Sequence, residues 1–395
     1  MPETGRMADL VEEFWVLQQI ETLYRQRLRT SPNDFRDALH QLWDRRGQLL
    51  LTGSARQALG NLLAHAAAGS RKRKVVLSSF NCRVVKEAVL RAGLGIDTFD
   101  FETPHGQIDW HAVGAGLSDE HLAIVVPHFY GIPADFTALV PAARRHGVMI
   151  IEDCAHALGA SIAGTPVGLL GDAAIFSFNY DKPISLAGGG ALLLNEPSLR
   201  IDPAAVEAPP SARLELRQFR QMAATLHYGR TRRGRRSLLA RIGGKLHIAP
   251  YAPPRPPRGI GSLRAAVGIW QLERYEEIRT RRARNAHILS ASLGHLSWHV
   301  ATTVTPAPLK LRVIVSPADA AAAVDRCRQH RITIANSNWP KLIEPDGGET
   351  SRINAYRAAT FGLEVPIHQN LSAADLENIA CAFAHANAPD WKMPP

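Results

Sequence analysis

The stretch VVPHFYGIPADFTALVPAARRHGVMIIEDCAHALGASIAGTPVGLLGDAAIFSFNYDKPISLAGGGALLLN, Val125–Asn195, decides how this chain folds. It begins inside an apolar strand, Leu122–Pro127, and passes through a helical pattern at Phe136–His146 into a second apolar strand at Val148–Ile151. Two further apolar runs, Ala173–Phe178 and Ala191–Leu194, continue the sheet around a glycine-rich loop. Short apolar strands alternating with helices predict an α/β fold with a mostly parallel sheet covered on both faces.

The alternation extends upstream as a helix after Ser54, strand Lys74–Leu77, helix Val84–Ala92 and strand Ile96–Phe99. Before it, Met7–Leu28 carries apolar residues at helical spacing and reads as an amphipathic opening helix. After it comes an arginine- and proline-rich stretch to about Gly261 that includes YAPPRPPRG and cannot be regular throughout. A long helical segment, Leu263–Leu293, then leads to strand Leu309–Val315 and helices near Pro317–His330 and Ser372–His385. The organisation expected is therefore an arm and large domain at 1–205, an insertion or linker at 206–261, and a connecting helix with a smaller C-terminal α/β domain at 262–395.

With 395 residues, 46% of them hydrophobic and 21% charged, the chain can bury a large core, which excludes a small binding module and general disorder. No apolar run approaches the roughly 20 residues of a membrane span, and the N-terminus has no secretory pattern, so the expectation is a cytoplasmic protein without a membrane partner. Cys82, Cys154, Cys327 and Cys381 are too dispersed for a disulfide framework or zinc knuckle, and the histidines lack metal-ligand spacing, so no metal is expected. The net charge of +10 is local: Arg213–Arg258 holds twelve Arg or Lys against Glu215 alone. One compact basic insertion suits an anion site or a solvated face better than the spread footprint of a nucleic-acid-binding protein, and no helix-turn-helix pattern appears.

Two residues of the deciding stretch carry chemistry together. Asp153 stands at the carboxyl end of a strand, where ligands of open α/β sheets sit; alone it reads as a turn cap. Lys182 follows another strand and precedes Gly188, Gly189 and Gly190, in a chain with eight lysines against 38 arginines; alone it reads as a surface residue. Pyridoxal phosphate (PLP) needs both: a lysine to hold it as a Schiff base, and a carboxylate to keep the pyridine nitrogen protonated. It also needs a phosphate cup, and Gly53-Ser54-Ala55 at a helix start offers N–H groups, a hydroxyl and the helix dipole.

With those residues in view, Val125–Asn195 resembles the core of the DegT-type nucleotide-sugar aminotransferases, PLP enzymes of fold type I. Weaker similarity runs through Thr52–Gly93, Leu263–Leu293 and Val365–Ile379. The resemblance implies that Lys182 binds the cofactor, Asp153 pairs with its ring nitrogen, and His156 lies near its phenolic oxygen. It places Gly53, Ser54, Ala55 and Ser177 around the phosphate, adds Asn179 to the cofactor set, and brings the loop of His128 and Tyr130 beside it. Lys182 argues against the dehydrating branch, which has histidine there. The implied reaction is ping-pong transfer of an amino group, from L-glutamate, to a keto sugar, nucleotide-linked or a cyclitol, by a homodimer.

Three features depart from the family pattern. Gly188 stands where an acidic residue is usual, and Pro257-Arg258-Gly259 replaces an Asn-aromatic-Arg signature, so that Arg255 or Arg258 would take over its phosphate contact. The usual ring-stacking aromatic aligns closer to Cys82 than to Phe80, and Phe80 is named as the stacker. His227 and Tyr228 are candidates to reach the site from a partner chain. The competing readings are a PLP enzyme of elimination or decarboxylation type, and a nucleic-acid-binding or regulatory protein on a reused PLP fold.

Overall fold

The computed structural model describes residues 30–179, 181–219, 259–298, 300–330, 332, 334–336, 340–343, 353–387 and 389. Met7–Leu28, most of the basic insertion, and His227, Tyr228, Arg255 and Arg258 lie outside them.

Ser31 opens α1 (Pro32–His40) through a capping box, its hydroxyl accepting from Asp34 N–H while the Asp34 carboxylate accepts from Ser31 N–H. Then come β1 (Gln48–Thr52), α2 (Ala55–Ala68), β2 (Lys74–Ser78), β3 (Phe80–Cys82), α3 (Arg83–Arg91), β4 (Gly95–Phe99), α4 (Trp110–Ala115) and β5 (His121–Pro127). The chain continues through α5 (Val140–Arg145), β6 (Met149–Asp153), the short pair β7 (Ser161–Ile162) and β8 (Thr165–Pro166), β9 (Ala173–Ser177), β10 (Gly190–Leu194) and α6 (Pro203–Val206).

Seven of these strands form one sheet in the order β1-β10-β9-β6-β5-β2-β4. Strands β4, β2, β5, β6 and β9 are parallel, whereas β10 runs antiparallel to β9 and β1 antiparallel to β10. Every residue of β5 is buried, as a central parallel strand requires. Its side chains alternate between two cores. Val125 packs with Leu59, Leu62 and Leu63 of α2 and Val85 and Val89 of α3. Ile124 and Val126 pack on the other face with Trp110, Phe136 and Leu139.

The β1 edge of the sheet is closed by side chains. Leu51 N–H donates to Glu207 Oε1 at 2.8 Å, and the other oxygen of Glu207 meets Arg36 at 2.5 Å. Gln48 bonds both the carbonyl and the N–H of Ile201, just before α6.

Downstream lie α7 (Ser262–Leu272), α8 (Tyr275–Leu293), β11 (Val304–Thr305), β12 (Leu311–Ile314), α9 (Pro317–Gln329), β13 (Ala335–Asn336), β14 (Pro340–Leu342), α10 (Ile353–Phe361), β15 (Gly362–Val365) and α11 (Ala373–Ala382). A second sheet, β12-β15-β13, shares a core of Leu289, Leu293, Val313, Cys327, Leu376 and Ile379 with α8, α9 and α11. Strand β14 pairs with β3, which joins this part of the chain to the large sheet's side.

Two expected helices are shorter than their apolar patterns. Leu263–Leu293 is broken into α7 and α8 where Tyr275 turns inward and donates its hydroxyl to Leu158 O at 2.5 Å. Phe136–His146 yields only α5 and a 3-10 turn before it, because Pro141 has no N–H to extend a helix from upstream and is suited to a first turn.

Candidate active site

Strand register brings together the residues named for a phosphate cup. Thr52 pairs with Gly190, and Gly190 with Ser177, so Gly53, Ser54, Gly190 and Ser177 share the edge at which β6 ends in Asp153. A Cβ on Gly190 would lie 2.5 Å from Ala55 N and 2.6 Å from Ser54 C, so only glycine lets the start of α2 sit against β10. Ser54 caps α2, its Oγ accepting from Gln57 N–H at 3.2 Å; the hydroxyl proton can still point to an anion before the helix. Gly53 N–H instead donates to Gln57 Oε1 at 3.1 Å. Asn179 is exposed beside Ser177 Oγ, to which its N–H donates at 3.5 Å.

Adjacent carboxylates at the end of β6 point into different environments. Glu152 is fully buried and accepts from the N–H groups of Gly168, Leu170 and Gly171 at 2.8–2.9 Å. His128, with its Nδ1 accepting from Ala134 N–H, directs Nε2 to Glu152 Oε2 at 3.0 Å. Asp153 is only partly buried, and Ala155 N–H donates to its Oδ1 at 3.1 Å. Burial pushes the Asp153 carboxyl above its ordinary range, against the pull of that N–H, Lys182 and His128. A positive ring N–H placed there would relieve that cost.

Lys182 meets two partners. Its Nζ lies 2.8 Å from His156 Nε2 and 3.1 Å from Asp181 Oδ2, with 13% of the side chain exposed. Burial, then the charge of Lys182, holds the His156 imidazole well below its ordinary value, so the ring is neutral. Tyr130 N–H donates to Nδ1 at 3.2 Å, which leaves the ring proton on Nε2, facing Nζ. Burial opposes ionisation of Asp181, yet the charge of Lys182 above all, with its hydrogen bond, holds the carboxyl below the ordinary range.

Two of the expected site residues sit in the core. Phe80 is 0% exposed, with its ring 5.3 Å from those of Phe101 and Phe129 and 5.7 Å from Trp298. Cys82, half-buried on the same strand, is the residue that senses the charges of Lys182, Asp153 and Asp181, and burial raises its thiol. His128 has both ring nitrogens engaged in the core, by Glu152 and by Ala134 N–H. Its grouping with Glu152 and Cys154 within 4.8 Å looks like a ligand set, but the Glu152 oxygens already serve three backbone N–H groups. Tyr130 is buried in a left-handed conformation (φ 57°) and meets His156 through its N–H and ring to ring, with centroids 6.0 Å apart.

Sequence reasoning missed Asp181 and the organising role of Glu152. Asp181 had a signal in its adjacency to Lys182; Glu152 had none, because strand alternation does not say which neighbour faces the ligand.

The model of the DegT/DnrJ/EryC1/StrS aminotransferase family matches residues 28–228. Among curated proteins, a UDP-N-acetyl-3-dehydro-alpha-D-glucosamine 3-aminotransferase of Acidithiobacillus ferrooxidans is 34% identical over 121 residues, 31% of this chain and 33% of that protein. An L-glutamine:scyllo-inosose aminotransferase of Streptomyces griseus is 44% identical over 89 residues, 22% and 21% of the two chains. The chain thus spans about a third or less of the length of these relatives. Among solved structures, S. venezuelae DesV in complex with a ketimine intermediate matches with a TM-score of 0.71 at 19% identity, over 97% of this chain and 98% of that one, a likeness of fold.

Proposed function

The chain belongs to the DegT/DnrJ/EryC1/StrS aminotransferase family, and from that premise we propose that it is a PLP-dependent enzyme moving an amino group from an amino acid, L-glutamate or L-glutamine, to a keto sugar or keto cyclitol. The observation that carries the reading is Lys182 Nζ held by neutral His156, with Asp153 and the Ser54 and Ser177 hydroxyls at the same sheet edge.

The donor set fits the cofactor. Ser54, Ser177 and the N-terminus of α2 would hold its phosphate, and Asp153, whose carboxyl is raised by burial, would take a protonated ring nitrogen as its missing counter-charge. PLP, when bound, supplies an electron sink for breaking the Cα–H bond and a carrier for the amino group. Lys182 holds the cofactor and then moves the proton at the substrate carbon. Neutral His156 orients Nζ and is itself fixed by Tyr130 N–H. The basic segment supports a nucleotide-linked sugar, since guanidinium groups hold a diphosphate bidentately. We place the enzyme in the cytoplasm as a homodimer; among the described residues no helix is long and apolar enough to cross a membrane.

The test is the visible spectrum of PLP-loaded protein before and after addition of L-glutamate or L-glutamine, with Lys182→Ala alongside. A band that bleaches with either donor and is lost or altered in the variant supports the reading. A band indifferent to all donors leaves a PLP enzyme of another reaction type, and no band at all refutes the cofactor.

A further inference from the structure

The loop that leaves Lys182 is costly to hold. Ala187, Gly188 and Gly189 all have positive φ, at 56°, 125° and 98°, and alanine is disfavoured in that region. On one side the loop is tied to the sheet: Leu186 N–H and Gly188 N–H both donate to Phe178 O, and Gly189 N–H donates to Gly53 O at 3.0 Å. On the other side it lies against α7.

Residues seven apart on a helix share a face, and α7 presents Arg264 and Gln271 in that way, 2% and 7% exposed. Gln271 grips Ser185 at both ends of its backbone, Oε1 accepting its N–H at 2.9 Å and Nε2 donating to its carbonyl at 2.7 Å. Arg264 Nε donates to Leu186 O at 2.9 Å, and its NH2 group to Ala187 O at 3.3 Å. Three consecutive residues of the strap are held by one helix face.

The clamp is itself braced. Arg264 pairs with Glu215 at 3.4 Å and donates to Gln218 Oε1 at 2.8 Å. The Glu215 carboxylate also accepts from Gly261, Leu263 and Arg264 N–H, capping α7, whose own cap residue Gly261 has no side chain to do so. Burial raises the Glu215 carboxyl, while Arg264 and these N–H groups pull it back.

We infer that Arg264 and Gln271 are positioning residues: through the strap Ser185–Gly189 they set where Lys182 Nζ stands between His156 and the phosphate cup. The inference rests on the PLP reading and deepens it. Both residues bond the backbone of the strap, so the inference assigns their effect to Lys182.

The experiment uses Gln271→Met, which leaves the Arg264–Glu215 pair intact, and Arg264→Lys, which keeps the charge but loses the guanidinium fork. Amide exchange at Ser185–Gly189 and PLP affinity are measured in each, and affinity again in a Lys182→Ala background. Removing the two Gln271 bonds should speed exchange in the strap and weaken PLP binding about tenfold, and shift the pH midpoint of the visible band. In Lys182→Ala the same substitution should leave PLP affinity unchanged. Unaltered strap exchange, or an equal loss of affinity with and without Lys182, overturns the clamp. Absence of PLP binding by the unaltered protein overturns the cofactor reading and this inference with it, an outcome distinct from PLP binding that Gln271→Met fails to affect.

Discussion

Glu152 and Asp153 are neighbours in sequence and opposites in use. The first is sealed in the core with three backbone N–H groups and the His128 ring; the second ends the same strand with one N–H and a lysine's charge nearby. On the proposed reading, a carboxylate whose acceptor positions the protein has filled holds the fold, whereas one left short of partners is kept for the cofactor. The same contrast separates two histidines: His128 is spent on Glu152 and Ala134, and His156 faces the lysine.

Substitutions can break that contrast. The largest effect is expected for Lys182→Ala, with amino transfer down at least about 10³-fold and little change in the melting temperature of the cofactor-free protein. Glu152→Gln should do the reverse: a donor replaces one acceptor oxygen, so stability falls by about 3 kcal/mol, read by denaturant unfolding. Asp153→Asn should lower kcat/KM about 10²-fold or more. Its sign in stability is the sharper test. Because the folded Asp153 carboxyl titrates above its unfolded value, ionising it opposes folding at neutral pH, and the cofactor-free Asn variant should be as stable as the parent or more so. Loss of stability there would erase the distinction between the two carboxylates.

Smaller effects separate the histidines. His128→Asn should cost about 1–3 kcal/mol of stability with KM for either substrate unchanged. His156 is held below its ordinary 6.5, so the unfolded chain takes up a proton before the folded one does. Its contribution is intact above the unfolded value and lost as pH falls below it, by at most about 1.4 kcal/mol per pH unit. The difference between cofactor-free parent and His156→Asn unfolding curves should carry that slope.

Much of this was legible in the residues. Apolar runs marked β2, β4, β5, β6, β9 and β10, and positions at or just past strand ends marked Asp153 and Lys182 as candidates, because parallel strands are continuous in hydrophobicity and their carboxyl ends collect chemistry. What was illegible depended on facing. Phe80 and Cys82 lie two apart on a short strand; the resemblance asks for a ring-stacking aromatic nearer Cys82 and Phe80 is the aromatic at hand, but burial takes Phe80 into a ring cluster with Phe101, Phe129 and Trp298. The clamp of Arg264 and Gln271 was equally hidden, since a helical pattern shows an apolar stripe and not which polar residues reach a distant backbone.

The Glu207 side chain that takes up Leu51 N–H has a consequence outside catalysis. An unguarded outer strand such as QLLLT is a template on which a second chain can add its own strand, the first step of aggregation. A carboxylate anchored by Arg36 occupies one of the positions such an intruder would need. Glu207→Ala should therefore be recovered in soluble form less well than the parent while the residues around Lys182 stay in place, an outcome read from the soluble fraction at matched expression.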